Sequence, residues 1–301
     1  MDERARERRR RRLRRLRRHG RRAYIRSVYF LPSLATLGNA ICGFGAMYVA
    51  TLWPQPAVRD SVTNFLSLHH FTVAALLVFA AMLFDALDGR LARFARHTTD
   101  FGGQLDSLAD VVSFGAAPAF MSLLLVKASY PHVPIVISRL IWCVGALFMS
   151  CAAVRLARFN VSNEHGEQHH FSFLGLPSPA AGGTVAAWIL MQQDLSHECA
   201  ELRPDTTLGA FAGHCSAVCV ILLPAVVLVT GLLMVSHIRY PHLVNKYLRG
   251  KRSIGRLMAA LVGLLLLVFA PEYTLAIGMV VYVLAGVLSA ATRLRRRPAV
   301  S

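Results

Sequence analysis

Four aspartates are the residues of this chain best placed to do chemistry. Residues 85–110 read D-A-L-D-G-R-L-A-R-F-A-R-H-T-T-D-F-G-G-Q-L-D-S-L-A-D, which puts Asp85, Asp88, Asp106 and Asp110 at the facing ends of two apolar segments. Asp85 and Asp88 are three residues apart, and Asp106 and Asp110 four, so on helices each pair occupies one face. A carboxylate in a membrane span is costly unless it is paired or binds a metal, so four that converge mark a functional site. Hard oxygen donors suit Mg²⁺ or Mn²⁺, ions that keep several waters and complete their shell with phosphate oxygens. Gly89 and Ala92 leave room beside the acids, and Arg93 supplies a cation able to hold phosphate. The chemistry implied is a diphosphate clamp. Helix capping accounts for Asp106, an acid near a helix start, but not for the other three.

The elements that carry these acids are membrane spans. The chain has 301 residues, 55% hydrophobic and 16% charged, with a mean hydropathy of +0.47. A span needs roughly 17 to 25 apolar residues. The pattern predicts about eight, at 29–51, 71–92, 105–126, 135–157, 175–193, 216–235, 255–270 and 273–292, with a tight turn at Pro271 and Glu272 between the last two. The fold class expected is an all-α polytopic membrane bundle. No cleavable signal peptide is expected, because the first apolar stretch follows a long basic arm and lacks a small-residue cleavage site. With a cytoplasmic N-terminus, 29 of the 33 Lys and Arg fall on the cytoplasmic side, leaving Arg59, Lys127, Arg139 and Arg203 outside. Both termini and all four acids then lie at the cytoplasmic face, an arrangement suited to a bacterial inner membrane.

The pattern Asp85-x2-Asp88-Gly89-x2-Ala92-Arg93-x8-Gly102-x3-Asp106-x3-Asp110 resembles the signature of the CDP-alcohol phosphotransferases, integral membrane enzymes of phospholipid synthesis. The resemblance implies displacement of CMP from a CDP-linked lipid by an alcohol at a two-metal site using Mg²⁺ or Mn²⁺. It implies metal binding by Asp85, Asp88 and Asp106, and a general-base role for Asp110, which also touches the second metal. By the same resemblance Arg93 contacts the diphosphate, while Gly89, Ala92 and Gly102 shape the pocket. A homodimer is the expected assembly.

Several runs resemble the phosphatidylserine synthase branch of that family. They are T-L-G-N-A-I-C-G-F at 36–44, L-D-S-L-A-D-V-V-S-F-G-A-A-P-A at 105–119, R-L-A-R-F-N at 155–160, G-L-P-S-P-A-A-G-G at 175–183 and L-M-V-S-H-I-R-Y at 233–240. The resemblance implies CDP-diacylglycerol and L-serine as substrates. Ser33 departs from it, since related chains usually carry Asn after Pro32. A serine pocket needs a cation for the carboxylate, and Arg155, Arg158 and Asn160 end the fourth predicted span on the acid side. The alternative is that both arginines are inside-facing anchors reaching lipid phosphates. Other acceptors (glycerol phosphate, inositol phosphate or choline) and a non-catalytic cation-binding protein or carrier are the competing readings.

The division expected is a basic arm at 1–28, a catalytic membrane domain at 29–240, and a basic loop with two helices and a basic tail at 241–301. The arm holds 14 Arg and cannot form a core, so disorder or a surface helix is expected. It serves either to bind anionic lipid or as a topology signal. Nothing supports a specific nucleic-acid partner. The six cysteines show no zinc spacing, though Cys199 and Cys215 fall near one outer loop where an oxidising compartment allows a disulfide. His165, His169 and His170 read as part of a solvated loop.

Overall fold

The structure is a computed structural model that describes residues 33–52, 69–95, 100–164, 172–202, 206–241 and 254–295. The basic arm, the three loop histidines and the last six residues lie outside them.

Eight helical rods are present among the described residues. The first, α1, is Ser33–Ala50, and α2 is His70–Ala95. The third rod joins α3, Asp100–Asp110, through a π-helical segment, Val111–Ala116, to α4, Ala117–Ser129. Then come α5, Ile135–Glu164, α6, Ser178–Glu201, and α7, Thr207–Val235. The last two are α8, Ile254–Phe269, and α9, Pro271–Arg295, separated by Ala270 alone. Two short strands, β1 at Ser172–Leu174 and β2 at Arg239–Pro241, pair antiparallel with Phe173 opposite Tyr240.

Six of the eight rods are long and apolar enough to cross a bilayer, and the chain is an integral membrane protein of the helical class. The two exceptions have separate causes. α8 has only 16 residues, about 24 Å of helix. α6 packs against α2, α7, α9 and the π segment, so its first half is enclosed by protein, with Ala181, Val185, Ala186 and Ile189 fully buried. A helix ringed by neighbours need not be apolar enough to face lipid, and its second half carries Gln192, Gln193, Asp194, His197 and Glu198. The boundaries shift accordingly: α6 runs eight residues past the predicted 193. α7 starts at Thr207 instead of 216, because the Thr206 hydroxyl caps it by accepting from the Gly209 N–H at 3.1 Å.

Close backbone approach fixes the centre. A side chain on Gly43 of α1 would overlap the backbone and side chain of Ser113, and one on Gly182 of α6 would lie 3.0 Å from the Cα and carbonyl of Phe114. Small residues thus let α1 and α6 press on the π segment from two sides. Around that point Ala46, Val78, Phe114, Met121, Phe148, Leu223 and Val227 form the core.

Two further contacts hold the acid-bearing end. Gly175 adopts φ +82 where the chain enters α6, with its Cα against the Met234 carbonyl, and its N–H donates to the Ile238 carbonyl at 2.8 Å. Tyr240 of β2 is fully buried, its ring against Gly286 of α9 and 5.7 Å from that of Tyr282. The exposed side chains Ile41, Phe44, Leu83, Trp142 and Phe269 are those a bilayer would cover.

Candidate active site

α2 delivers Asp85 and Asp88, and α3 delivers Asp106 and Asp110. One carboxylate oxygen each from Asp85, Asp88 and Asp106 lies within 4.8 Å of the others. Asp110, one turn deeper on α3, is within electrostatic reach of Asp85, Asp106 and Asp88. Asp88 and Asp110 are only 5% and 6% exposed, so water screens their mutual repulsion weakly. Four carboxylates so placed must be offset by positive charge or by protons.

The donor set fits a hard divalent cation. Three carboxylates from two helices converge, and Asp106 Oδ1 is buried without a hydrogen-bond partner, an oxygen that a bound ion would satisfy. Asp85, Asp88 and Asp106 would hold it, with Asp110 adjacent.

The acids are braced from a third helix, a feature the sequence reading did not assign. Thr36 Oγ1 donates to Asp88 Oδ2 at 3.0 Å, and Asn39 Nδ2 donates to Asp110 Oδ1 at 3.0 Å. Ser113 Oγ, in the π segment directly after Asp110, donates to the Asn39 carbonyl at 2.8 Å. The signal available in sequence was the polar pair T-x-x-N inside an otherwise apolar span. π segments recur at functional sites because they re-aim the residues beside them.

The remaining predicted residues distribute as follows. Arg155 reaches inward: its guanidinium donates from Nη1 to Ser178 Oγ at 2.6 Å, interacts with Asp110, Tyr282 and Asp85, and keeps Nε buried without a partner. Ser178, at the start of α6, was another residue without a predicted role. Asn160 Nδ2 donates to Ser107 Oγ at 3.0 Å, tying α5 to α3 between Asp106 and Asp110. Arg158 is exposed, with Nη1 3.5 Å from the Val235 carbonyl. Gly89 is exposed beside Asp88, and among the described residues nothing lies within 4 Å of a Cβ placed there. Gly102 lies one turn before Asp106 on α3. Ala92 and Arg93 continue α2, but their side chains lie outside the described residues. All six cysteines, Cys199 and Cys215 included, are free thiols.

A carboxylate cluster able to hold a cation, with an arginine nearby, has the chemistry to receive phosphate-bearing substrates. Residues 29–203 match the CDP-alcohol phosphatidyltransferase family. The chain belongs to that family. As a CDP-alcohol phosphatidyltransferase it is similar to the CDP-diacylglycerol–serine O-phosphatidyltransferase of Helicobacter pylori, at 30% identity over 88% of this chain and 92% of that protein. The enzyme of the same name from Methanocaldococcus jannaschii is 34% identical over 56% of this chain and 64% of its own length. The archaetidylserine synthase of Methanothermobacter thermautotrophicus is 32% identical over 55% of this chain and 60% of its own.

Proposed function

We propose that this CDP-alcohol phosphatidyltransferase makes phosphatidylserine and CMP from CDP-diacylglycerol and L-serine. The observation that carries this reading is the likeness to the H. pylori serine enzyme along nearly the whole of both chains. Asp85, Asp88 and Asp106 would hold Mg²⁺ or Mn²⁺, and Asp110 would contribute to a second ion. When bound, the cations neutralise the diphosphate and the departing CMP.

The chain's own residues do the rest. Arg93, with Gly89, Ala92 and Gly102, receives the CDP moiety. Arg155, braced by Ser178, holds the serine carboxylate. Asn160 orders the α3–α5 edge of the pocket through Ser107. Arg158, exposed near Val235, fits the anchor role at the bilayer surface better than the pocket. Asp110 takes the proton from the serine hydroxyl as its oxygen forms a bond to the β-phosphorus, and the bond from that phosphorus to the bridging oxygen breaks to release CMP. Attack is direct, so no phosphatidyl-enzyme forms.

Both termini and the acids face the cytoplasm in this reading, and the arm at 1–28 rests on anionic lipid. The membrane is a bacterial inner membrane, residues 29–240 form the catalytic unit, and the working unit is a homodimer. Purified protein in detergent, given CDP-diacylglycerol and Mn²⁺ or Mg²⁺, should release CMP with serine. It should not do so with glycerol 3-phosphate, inositol 1-phosphate or choline, or after chelation. Release with another alcohol alone would refute serine as the acceptor. Silence with all four under both metals would favour a cation-binding protein without catalysis.

A further inference from the structure

We infer that Tyr282 of α9 is a specificity residue of the acceptor pocket, donating its hydroxyl to the same serine carboxylate that Arg155 holds. Its role deepens the reading above and rests on it. The pocket then extends past residues 29–240, to a helix outside the segment that matches the family.

The packing of α9 on α6 brings Tyr282 to the right level of the bundle. The two helices run antiparallel: Glu272 at the start of α9 shares a cavity with Asp194 and His197 in the second half of α6, and Gly286 nearer its end lies against Tyr240 at the acid-bearing end. Between those points Met279 reaches Gly183 of α6, where a Cβ would lie 3.0 Å from the Met279 Cε. Ser178 is five residues back from Gly183, about 7.5 Å at the helical rise, and Tyr282 is three residues on from Met279, about 4.5 Å in the same direction. Tyr282 therefore stands within about one turn of Ser178, the residue to which the Arg155 guanidinium donates at 2.6 Å. Arg155 and Tyr282 accordingly interact electrostatically, the one from α5 and the other from α9.

Hydrogen bonding at this corner is incomplete. Arg155 Nε is buried without a partner, and among the described residues the partly buried Tyr282 hydroxyl has none either. Its neighbour differs. Tyr240, whose ring is 5.7 Å away, is fully buried and turns its hydroxyl to the Val283 carbonyl at 3.5 Å. One phenol of the pair is thus used inside the fold, and the other is left beside a cation. A carboxylate serves both groups at once, because its two oxygens accept about four hydrogen bonds, enough for a guanidinium fork and one hydroxyl. That carboxylate keeps its charge while the serine hydroxyl reacts, so a contact to it is made equally before and during the reaction. Losing the contact raises KM and spares kcat.

The test measures CMP release by the full-length protein in detergent with CDP-diacylglycerol, serine and Mn²⁺, comparing wild type, Tyr282→Phe, Tyr240→Phe, Arg155→Lys and the Arg155→Lys/Tyr282→Phe double variant. Tyr282→Phe removes one oxygen and keeps the ring against Tyr240. It should raise the serine KM by about tenfold, the loss expected for one hydrogen bond to a charged group, with kcat changed by less than about threefold and the KM for CDP-diacylglycerol unmoved. Tyr240→Phe removes the other hydroxyl of the pair and should leave the serine KM within about twofold. The double variant should raise the serine KM by less than the product of the single effects, because both side chains grip one carboxylate. An unchanged serine KM in Tyr282→Phe would overturn the assignment, and an equal rise in Tyr240→Phe would reduce the pair to packing. A rise in the lipid KM alone would overturn it too, by moving the hydroxyl to the diphosphate, and a fully multiplicative double variant would rule out a shared carboxylate. Wild-type protein that released no CMP with serine would overturn both the parent reading and the role of Tyr282, whereas serine-dependent release with an indifferent Tyr282→Phe would overturn the role of Tyr282 alone.

Discussion

The two ends of this bundle carry similar residues and differ in what surrounds them. At one end stand Asp85, Asp88, Asp106 and Asp110. At the other, His69, Asp194, His197 and Glu272 line a cavity of about 560 Å³ where α2 begins, α6 ends and α9 begins. The acids of the first end come from two helices, converge, and are held by donors from a third. Those of the second end are less buried, paired within α6 or reached from α9. His197 Nδ1 lies 3.6 Å from Glu201 one turn on, both side chains more than half exposed, and the Tyr273 hydroxyl donates to Glu198 at 3.4 Å. The His69 and His197 rings are 6.3 Å apart, yet among the described residues no third ligand joins them. Burial and the convergence of carboxylates from two helices separate the two ends.

The largest effect that would sharpen this contrast is removal of charge at each end in turn. Asp88→Asn or Asp110→Asn should lower CMP release by about a thousandfold or more, whereas Asp194→Asn should stay within about twofold. An equal loss at both ends would erase the distinction. Next in size is Arg155→Lys, which keeps charge but loses the planar fork. Serine KM should rise by about tenfold with KM for CDP-diacylglycerol unchanged, and a shift in the lipid KM alone would move Arg155 to the other substrate.

Stability should divide the packed centre from the end away from the acids. Gly182→Val drives a side chain into the Phe114 backbone and should cost about 1–3 kcal/mol, visible as a lower melting temperature in detergent. At that end a Cβ on Gly213 would meet, among the described residues, the Cys199 Sγ at 3.0 Å, a side-chain tip able to turn away. Gly213→Ala should therefore change stability by no more than about 0.5 kcal/mol. The smallest expected change is His197→Ala, which should leave both CMP release and melting within experimental scatter, as an exposed pair contributes about 1 kcal/mol at most.

The four acids were legible because carboxylates seldom enter apolar segments, and spacings of three and four already place each pair on one helix face. The spans were legible for the same reason in reverse, as long runs without charge. α6 was the partial exception: its enclosed position let polar residues into its second half, and enclosure is a tertiary property. Thr36 and Asn39 could not be singled out, because hydroxyl and amide side chains are ordinary helix-to-helix contacts in membranes. What distinguishes them is the partner, more than fifty residues away. Arg155 and Arg158 pose a similar problem. Their spacing makes them neighbours on a helix, and only the start of α6 at Ser178 shows which one turns inward.

The π segment at Val111–Ala116 has a consequence for how the chain can vary in length. It accommodates one residue more than an α-helix of the same rise, so α3 above it and α4 below it are out of phase by about 100°. That offset lets the upper part aim Asp106 and Asp110 at α2 while the lower part seats Met121 and Leu125 in the core. Deleting a single residue from this stretch would return a regular helix with both parts still facing the same ways, whereas the same deletion from a rod that was α-helical throughout would rotate one part against the other by about 100°. The stretch is thus the place along this rod where one residue can be lost with the acids and the apolar face kept in register.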